Sequence, residues 1–417
     1  MIEKITIKNF KSFKDVSLKL GPMNLFIGAN ASGKSNFFDA LRVLQGIGYG
    51  FTLREILDGK PKSATSEVWE GIRGGSAKTA FACDRTDQPT LFRVGDDNFE
   101  ITFSAVEGQL CNERLQGIYD SFPVDNRYTG PLLRARYYGP DPGHPSYLTF
   151  ERNRPILAQM ACVGSTRWSR TRSEMSESVT QNLSRDLVGV HGLKVRMIAD
   201  TIANGLADMQ RIDPSPSLLR GYSQAHKIDR MGERGENFAA LIQRICSDVE
   251  AKDAYLSWLR ELRPRDVDDV GVLKGALGEP MVMMKEKGRE WPAPVLSDGT
   301  LRFAALAAAF FQPDMPGIIT LEEIENGIHA SRLRLLVELL RSRAAAEKTQ
   351  VMATTHSPVV LAWLKPEEYA TTFYCHRDEE TGESRIIPLT EIPRFNEIVA
   401  KQPISDLFAE GWLEEAL

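Results

Sequence analysis

The short apolar run Leu25-Phe26-Ile27 leads directly into Gly28-Ala-Asn-Ala-Ser-Gly33-Lys34-Ser35, and no other segment constrains the chain as strongly. The run reads as a buried strand, and the apolar residues after Ser35 predict a helix from Lys34 to about Leu44. A GxxxxGK[ST] spacing between strand and helix lets the glycines curl the loop so that backbone N–H groups face inward. The positive end of the following helix lies beside them. Such a loop cradles phosphate. Lys34 would contact the β- and γ-phosphates, and Ser35 would offer its hydroxyl to Mg²⁺, which prefers oxygen ligands and keeps several waters.

Three further segments gain meaning from that loop. The apolar strand Ile318–Leu321 ends in Glu322-Glu323, and paired carboxylates at a strand end are costly to bury without a cation. Mg²⁺ coordination by the first and polarisation of an attacking water by the second would resolve that cost. Leu296-Ser297-Asp298-Gly299-Thr300 precedes an apolar helix predicted over 300–311, so its hydroxyl and glycine form a second anion-binding helix tip. Thr354-Thr355-His356-Ser357-Pro358 runs from a buried strand, Gln350–Thr354, into a loop where an imidazole could donate to a γ-phosphate. Each segment alone also has a plain structural reading: a solvated strand cap, an ordinary N-cap and a structural histidine. Their order after the phosphate loop is what favours nucleotide chemistry.

The rest of the chain sets the organisation. With 417 residues, 42% hydrophobic and 26% charged, it has the composition of a globular protein, and a formal charge of −5 leaves the partner open. The longest apolar run, Phe303–Phe311, is too short to span a membrane, and the start MIEKITIKNF has no secretory signal, so a cytoplasmic location is expected. The five cysteines lack zinc spacing and read as reduced, mostly buried thiols. Strand-like runs at Ile5–Ile7, Val16–Leu18 and Leu25–Ile27 open an α/β unit over 1–60. AKTAFACD, QPTLFRVG and NFEITFSAVEG predict an antiparallel β-rich insertion over 61–150. Residues 151–265 look helical, with Val195, Ile198, Ile202, Leu206 and Met209 and then Phe238, Leu241, Ile245 and Val249 at helical spacing. DPSPS at 213–217 excludes a long coiled coil there. Over 266–417, strands near Val270–Leu273, Met281–Met284 and Ile318–Leu321 alternate with helices, which predicts a largely parallel sheet covered on both faces.

The ordered set resembles ATPase heads of the ATP-binding-cassette class, in the branch of standalone SMC, RecF and OLD proteins. GANASGKS looks like Walker A, LSDGT the signature motif, IITLEE Walker B, ENGIH the D-loop region and ATTHS the switch histidine; ITIKNFKSF and ISDLFAEGWL at the two ends add to it. The resemblance implies a P-loop NTPase fold whose head is split by the insertion and the helical stretch. It further implies a nucleotide site of Gly28, Asn30, Gly33, Lys34, Ser35 and Asn36, with Ser35 and Glu322 supporting Mg²⁺, Glu323 as general base and His356 as the switch. Ser297 and Gly299 would close over the ATP of a partner copy, giving a homodimer. Phe10, Lys11 and Phe13 could border the nucleotide, and Gln159 is the nearest Q-loop candidate. Asp298 departs from the commonest signature, Glu322 replaces the usual Asp of Walker B, and Ala330 stands where proline is frequent.

OLD-type relatives add a nuclease after the histidine motif, but residues 357–417 hold no DxD pair, so no nuclease is expected in this chain. The sequence also looks like ATPases of Septu and retron-associated antiphage systems. That implies a sensor or scaffold controlling a separate nuclease or toxin, with slow turnover. The alternative is a DNA-engaged ATPase of repair or chromosome maintenance. For that reading the basic stretch Arg152, Arg154, Arg167, Trp168, Arg170 and Arg172 could contact a phosphate backbone, or else form a solvated loop or internal ion pairs.

Overall fold

Alternation along the strand Met23–Ile27 sends Phe26 to one core while Leu25 and Ile27 face another. This is seen in a computed structural model that describes residues 1–60, 69–81, 88–95, 99–116, 119–122, 132–137, 146–162, 174–187, 189–224, 228–262, 267–346 and 349–417. The strand lies inside a six-stranded sheet ordered Met209–Ile212, Ile318–Leu321, Gln350–Thr355, Met23–Ile27, Thr372–Arg377, Ser384–Pro388. The first five run parallel and only the last is antiparallel. Neighbouring strands repeat the alternation: Ile318 and Met352 join Phe26, whereas Ile319, Leu321, Val351 and Ala353 join Leu25. A sheet apolar on both faces needs cover on both, as the continuous apolar runs predicted.

The helix Lys34–Gly48 covers the first face and packs against the helix Gly189–Ala207. Phe37 and Phe373 lie 4.4 and 5.0 Å from the Phe26 ring, and each fully buried ring contributes about 1.5–3 kcal/mol. The helices Phe238–Ile245, Val249–Leu262, Asp298–Ala309 and Ala330–Ala346 belong to the other core. The helical stretch 151–265 is therefore divided between two cores rather than forming one body. Met209, expected on a helix, sits in the strand Met209–Ile212, because the exposed edge of Ile318–Leu321 takes up its backbone in parallel register.

Strands between 90 and 151 do form an antiparallel sheet, but it is continuous with the N-terminal hairpin. Thr90–Val94 pairs with Lys4–Phe10, so the hairpin and the later strands make one eight-stranded sheet. The free edge of Lys4–Phe10 supplies unpaired backbone groups that this strand satisfies. AKTAFACD forms no strand in its described part: Ser76–Lys78 is a single 3₁₀ turn. Val267–Lys274, Pro280–Glu286 and Arg289–Pro292 make a third, three-stranded sheet. No helix among the described residues is long and apolar enough to cross a membrane.

Candidate nucleotide site

Register aligns the strand ends. Thr355 stands opposite Ile27 and Leu321 opposite Ala353, so the segments after these strands emerge at one edge of the sheet. Open parallel sheets bind ligands outside the carboxyl ends of their strands. Here Asn30, Gly33, Lys34, Ser35, Asn36, Glu322, Glu323, Thr354 and His356 line a single cavity of about 250 Å³. Residues from three distant parts of the sequence thus share one small volume.

The loop conformation depends on its glycines. Gly28 has φ 141° and Gly33 φ 111°, and a Cβ on Gly28 would lie 2.2 Å from the Cys375 carbonyl oxygen. On Gly33 it would meet the Ser384 side chain at 2.7 Å and the Phe13 ring at 3.2 Å. Gly33 caps the helix Lys34–Gly48 without a side-chain hydrogen bond, which leaves the helix tip to a ligand. The Lys34 ammonium donates to the carbonyls of Gly28 at 2.8 Å and Ala29 at 2.7 Å. Burial lowers its pKa, while the Glu323 and Glu325 carboxylates oppose that shift. The nearby Cys375 thiol is pushed up to about 12 by burial and is a neutral neighbour.

Glu323 adopts φ 49°, a conformation rare outside glycine. Two bonds to one residue hold it there: the Glu323 N–H donates to Thr354 Oγ1 at 2.9 Å and the Ile324 N–H to the Thr354 carbonyl at 3.1 Å. Its carboxylate accepts from the Asn326 amide and faces His356 Nε2 at 3.8 Å. Glu325 was not singled out from the sequence, yet its carboxylate accepts the His356 backbone N–H at 2.6 Å. Pro358 is the first residue of the helix Pro358–Leu361, where a missing N–H costs nothing.

Glu322 lies between two arginines that sequence reasoning also missed. Arg73 Nη1 is 3.6 Å and Arg211 Nη2 3.3 Å from its oxygens. Arg73 also bonds the Ser35 carbonyl and ion-pairs with Asp39, which is in turn held by Lys11. The Ser35 hydroxyl and the Glu322 carboxylate are hard oxygen donors on one cavity, and a metal there would share the Glu322 carboxylate with Arg73 and Arg211. These two residues suit Mg²⁺, which takes few protein ligands.

Other expected residues lie elsewhere. Ser297 caps the helix Asp298–Ala309, accepting the Thr300 N–H at 3.3 Å, and neither it nor Gly299 lines the phosphate cavity. Gly299 packs on the segment 325–329, where a Cβ would meet the Gly327 carbonyl at 2.5 Å. Gln159 is fully buried and its amide bonds the backbone of Glu151 and Arg154; it lines no part of the cavity and is not a Q-loop residue. Phe10 and Phe13 are fully buried core rings, whereas Lys11 borders a second cavity beside Ser35 and Asn36. Arg154 is buried against Gly50, Glu151 and Glu174, and Arg152 bonds the Leu110 carbonyl, so these two make internal contacts. Arg167, Trp168, Arg170, Arg172 and Cys83 lie outside the described residues.

Residues 1–59 match a family model described as "AAA ATPase domain", and residues 249–362 one described as "AAA domain, putative AbiEii toxin, Type IV TA system". A protein of Helicobacter pylori named "ATP/GTP phosphatase" is 21% identical, over 94% of this chain and 95% of its own. Among solved structures, an SMC head bound to the C-winged helix domain of ScpA is 15% identical with a TM-score of 0.42, covering 93% of this chain and 96% of that one. The SMC head domain from Thermotoga maritima is 13% identical with a TM-score of 0.40, covering 93% and 98%. The two matched segments contain the glycine loop 28–35, Ser297, the acid pair and His356, so these parts of the chain are similar to AAA-type ATPase domains.

Proposed function

We propose that the chain binds ATP with Mg²⁺ and hydrolyses it slowly. The convergence of the phosphate loop, Glu322, Glu323 and His356 on one cavity carries this reading. Gly28, Asn30, Gly33, Lys34, Ser35 and Asn36 would hold the phosphates, with Ser35 and Glu322 on the metal. Phosphoryl transfer requires a positioned water and charge neutralisation more than covalent chemistry. Glu323 would orient and deprotonate the water, and His356, 3.8 Å away, would hold a γ-phosphate oxygen and report its loss. Lys34→Ala should abolish ATP binding in calorimetry; retained binding would sink the reading.

Ser297 and Gly299 stand off the cavity, at an exposed helix tip whose first turn can face an anion from a second copy. Two copies would then enclose two ATP molecules, and nucleotide binding would set the assembly state. We read the output as control of a separate effector, a nuclease or toxin, in a bacterial antiphage system. The toxin–antitoxin wording of the model matching 249–362 supports that direction. The internal contacts of Arg152 and Arg154 remove part of the basic stretch that favoured DNA engagement. A co-purifying product of the neighbouring gene, released or activated on ATP turnover, is the expected finding. DNA-stimulated turnover by the isolated protein would count against it.

A further inference from the structure

The strand Thr372–Arg377 runs parallel to Met23–Ile27 with Tyr374 opposite Ile27, so its last residues pass alongside the phosphate loop. The approach is close enough that the Cys375 carbonyl excludes a Cβ at Gly28. Beyond Arg377 the chain makes a tied turn. Asp378 accepts the Thr381 N–H at 2.7 Å and its hydroxyl at 2.9 Å, and Gly382 takes φ 68°. The returning strand donates its Ser384 N–H to the Ser12 carbonyl at 2.7 Å, and the Ser12 hydroxyl accepts from the Asn36 amide at 2.7 Å. The hairpin is therefore anchored to the helix that follows the loop.

Arg377 stands at the base of this hairpin and borders three cavities around the loop, of about 250, 380 and 570 Å³. It is exposed, and its guanidinium lies beside Gly382. Arg73 is engaged by Asp39 and Glu322, and Lys11 by Asp39. Arg377 has no side-chain hydrogen bond or ion pair among the described residues. A cation with no acid partner, fixed at the rim of a phosphate loop, keeps its charge for an incoming anion. Its planar fork of donors matches phosphate oxygens.

We propose that Arg377 is a nucleotide-binding residue whose guanidinium contacts the phosphates held by the loop. The inference rests on the nucleotide reading above and adds a residue from the opposite flank of the site. It is tested by calorimetric binding of ATP and ADP to the full chain and its Arg377→Ala, Arg377→Lys and Lys34→Ala variants, with thermal unfolding of each in the absence of nucleotide. Arg377→Ala should weaken ATP binding about tenfold or more, as the loss of a charge-assisted hydrogen bond does, with Arg377→Lys between it and wild type. The unfolding midpoint without nucleotide should not move, because no hydrogen bond or ion pair to a described residue is lost. Equal losses for ATP and ADP would place the contact on the α- and β-phosphates, and a loss confined to ATP on the γ-phosphate. Wild-type affinity in Arg377→Ala, with binding abolished in Lys34→Ala, would overturn the inference and leave the nucleotide reading standing. A lowered midpoint in Arg377→Ala would assign a structural role and overturn it as well. Undiminished binding in Lys34→Ala would instead remove the nucleotide reading itself.

Discussion

His356 Nε2 lies 3.8 Å from Glu323 Oε1, although the two side chains come from different strands and from loops with different backbone shapes. Thr354, two residues before His356, accepts N–H bonds from both Glu323 and Ile324, so the acid and the imidazole are positioned by the same strand end.

On the proposed reading Glu323 would act as the general base. Glu323→Gln keeps the shape and the Asn326 contact but removes the proton acceptor. Phosphate release should fall about 100-fold or more while ATP affinity stays near wild type. Size-exclusion chromatography with ATP should show an accumulated dimer. Turnover at the wild-type rate would reassign the base.

Arg73 holds Glu322 in the arrangement seen here, with Nη1 at 3.6 Å. A metal approaching Glu322 must compete with that ion pair. In Arg73→Ala the Mg²⁺ concentration giving half-maximal ATP affinity should fall severalfold, since one competitor is gone and Arg211 remains. An unchanged Mg²⁺ titration would show that Arg73 and the metal do not compete.

Gly28 is constrained by conformation and by space together. Gly28→Ala forces a Cβ into φ 141° and against the Cys375 carbonyl at 2.2 Å. Destabilisation of at least about 1–3 kcal/mol is expected, visible as a lowered unfolding midpoint together with lost ATP binding. A midpoint equal to wild type would mean the loop relaxes freely.

Glu113 does not line the cavity and gives a pH signature. It is fully buried, accepts the N–H groups of Ile156 and Leu157 at 2.8 and 2.7 Å and the Tyr119 hydroxyl at 2.6 Å, and burial raises its pKa from 4.5 to about 7. Between these values the unfolded chain has released the proton and the folded one retains it. The contribution is therefore fully present below pH 4.5 and is lost as pH rises towards about 7. Over that window the total loss is on the order of 3 kcal/mol. Urea unfolding across it should show stability falling with pH, and Glu113→Gln should flatten the slope. An equal slope in the variant would shift the effect to another group.

The loop, the acid pair and the histidine are legible in the sequence because each is local. A loop needing positive φ calls for glycine at Gly28 and Gly33, and a buried strand ending in acids shows itself in Ile318–Glu323. The hidden parts depend on long-range contact. Arg73 and Arg211 look like any surface arginines until folding sets both beside Glu322. Gln159 fits a motif by position, yet its amide is consumed by the backbone of Glu151 and Arg154. Met209 keeps a helical spacing with its neighbours, but the edge of the central sheet outweighs that local preference.

By itself the sequence determined the strands that lead into the site, the glycines of the loop and the order of the chemical groups, since these follow from residue type and near neighbours. Tertiary structure alone decided that Thr90–Val94 extends the N-terminal hairpin, that the helical stretch serves two cores, and that Arg377 reaches the loop. Backbone groups at a strand edge and charges at a cavity rim accept partners from any distance along the chain, so only the packed fold selects which residues meet them.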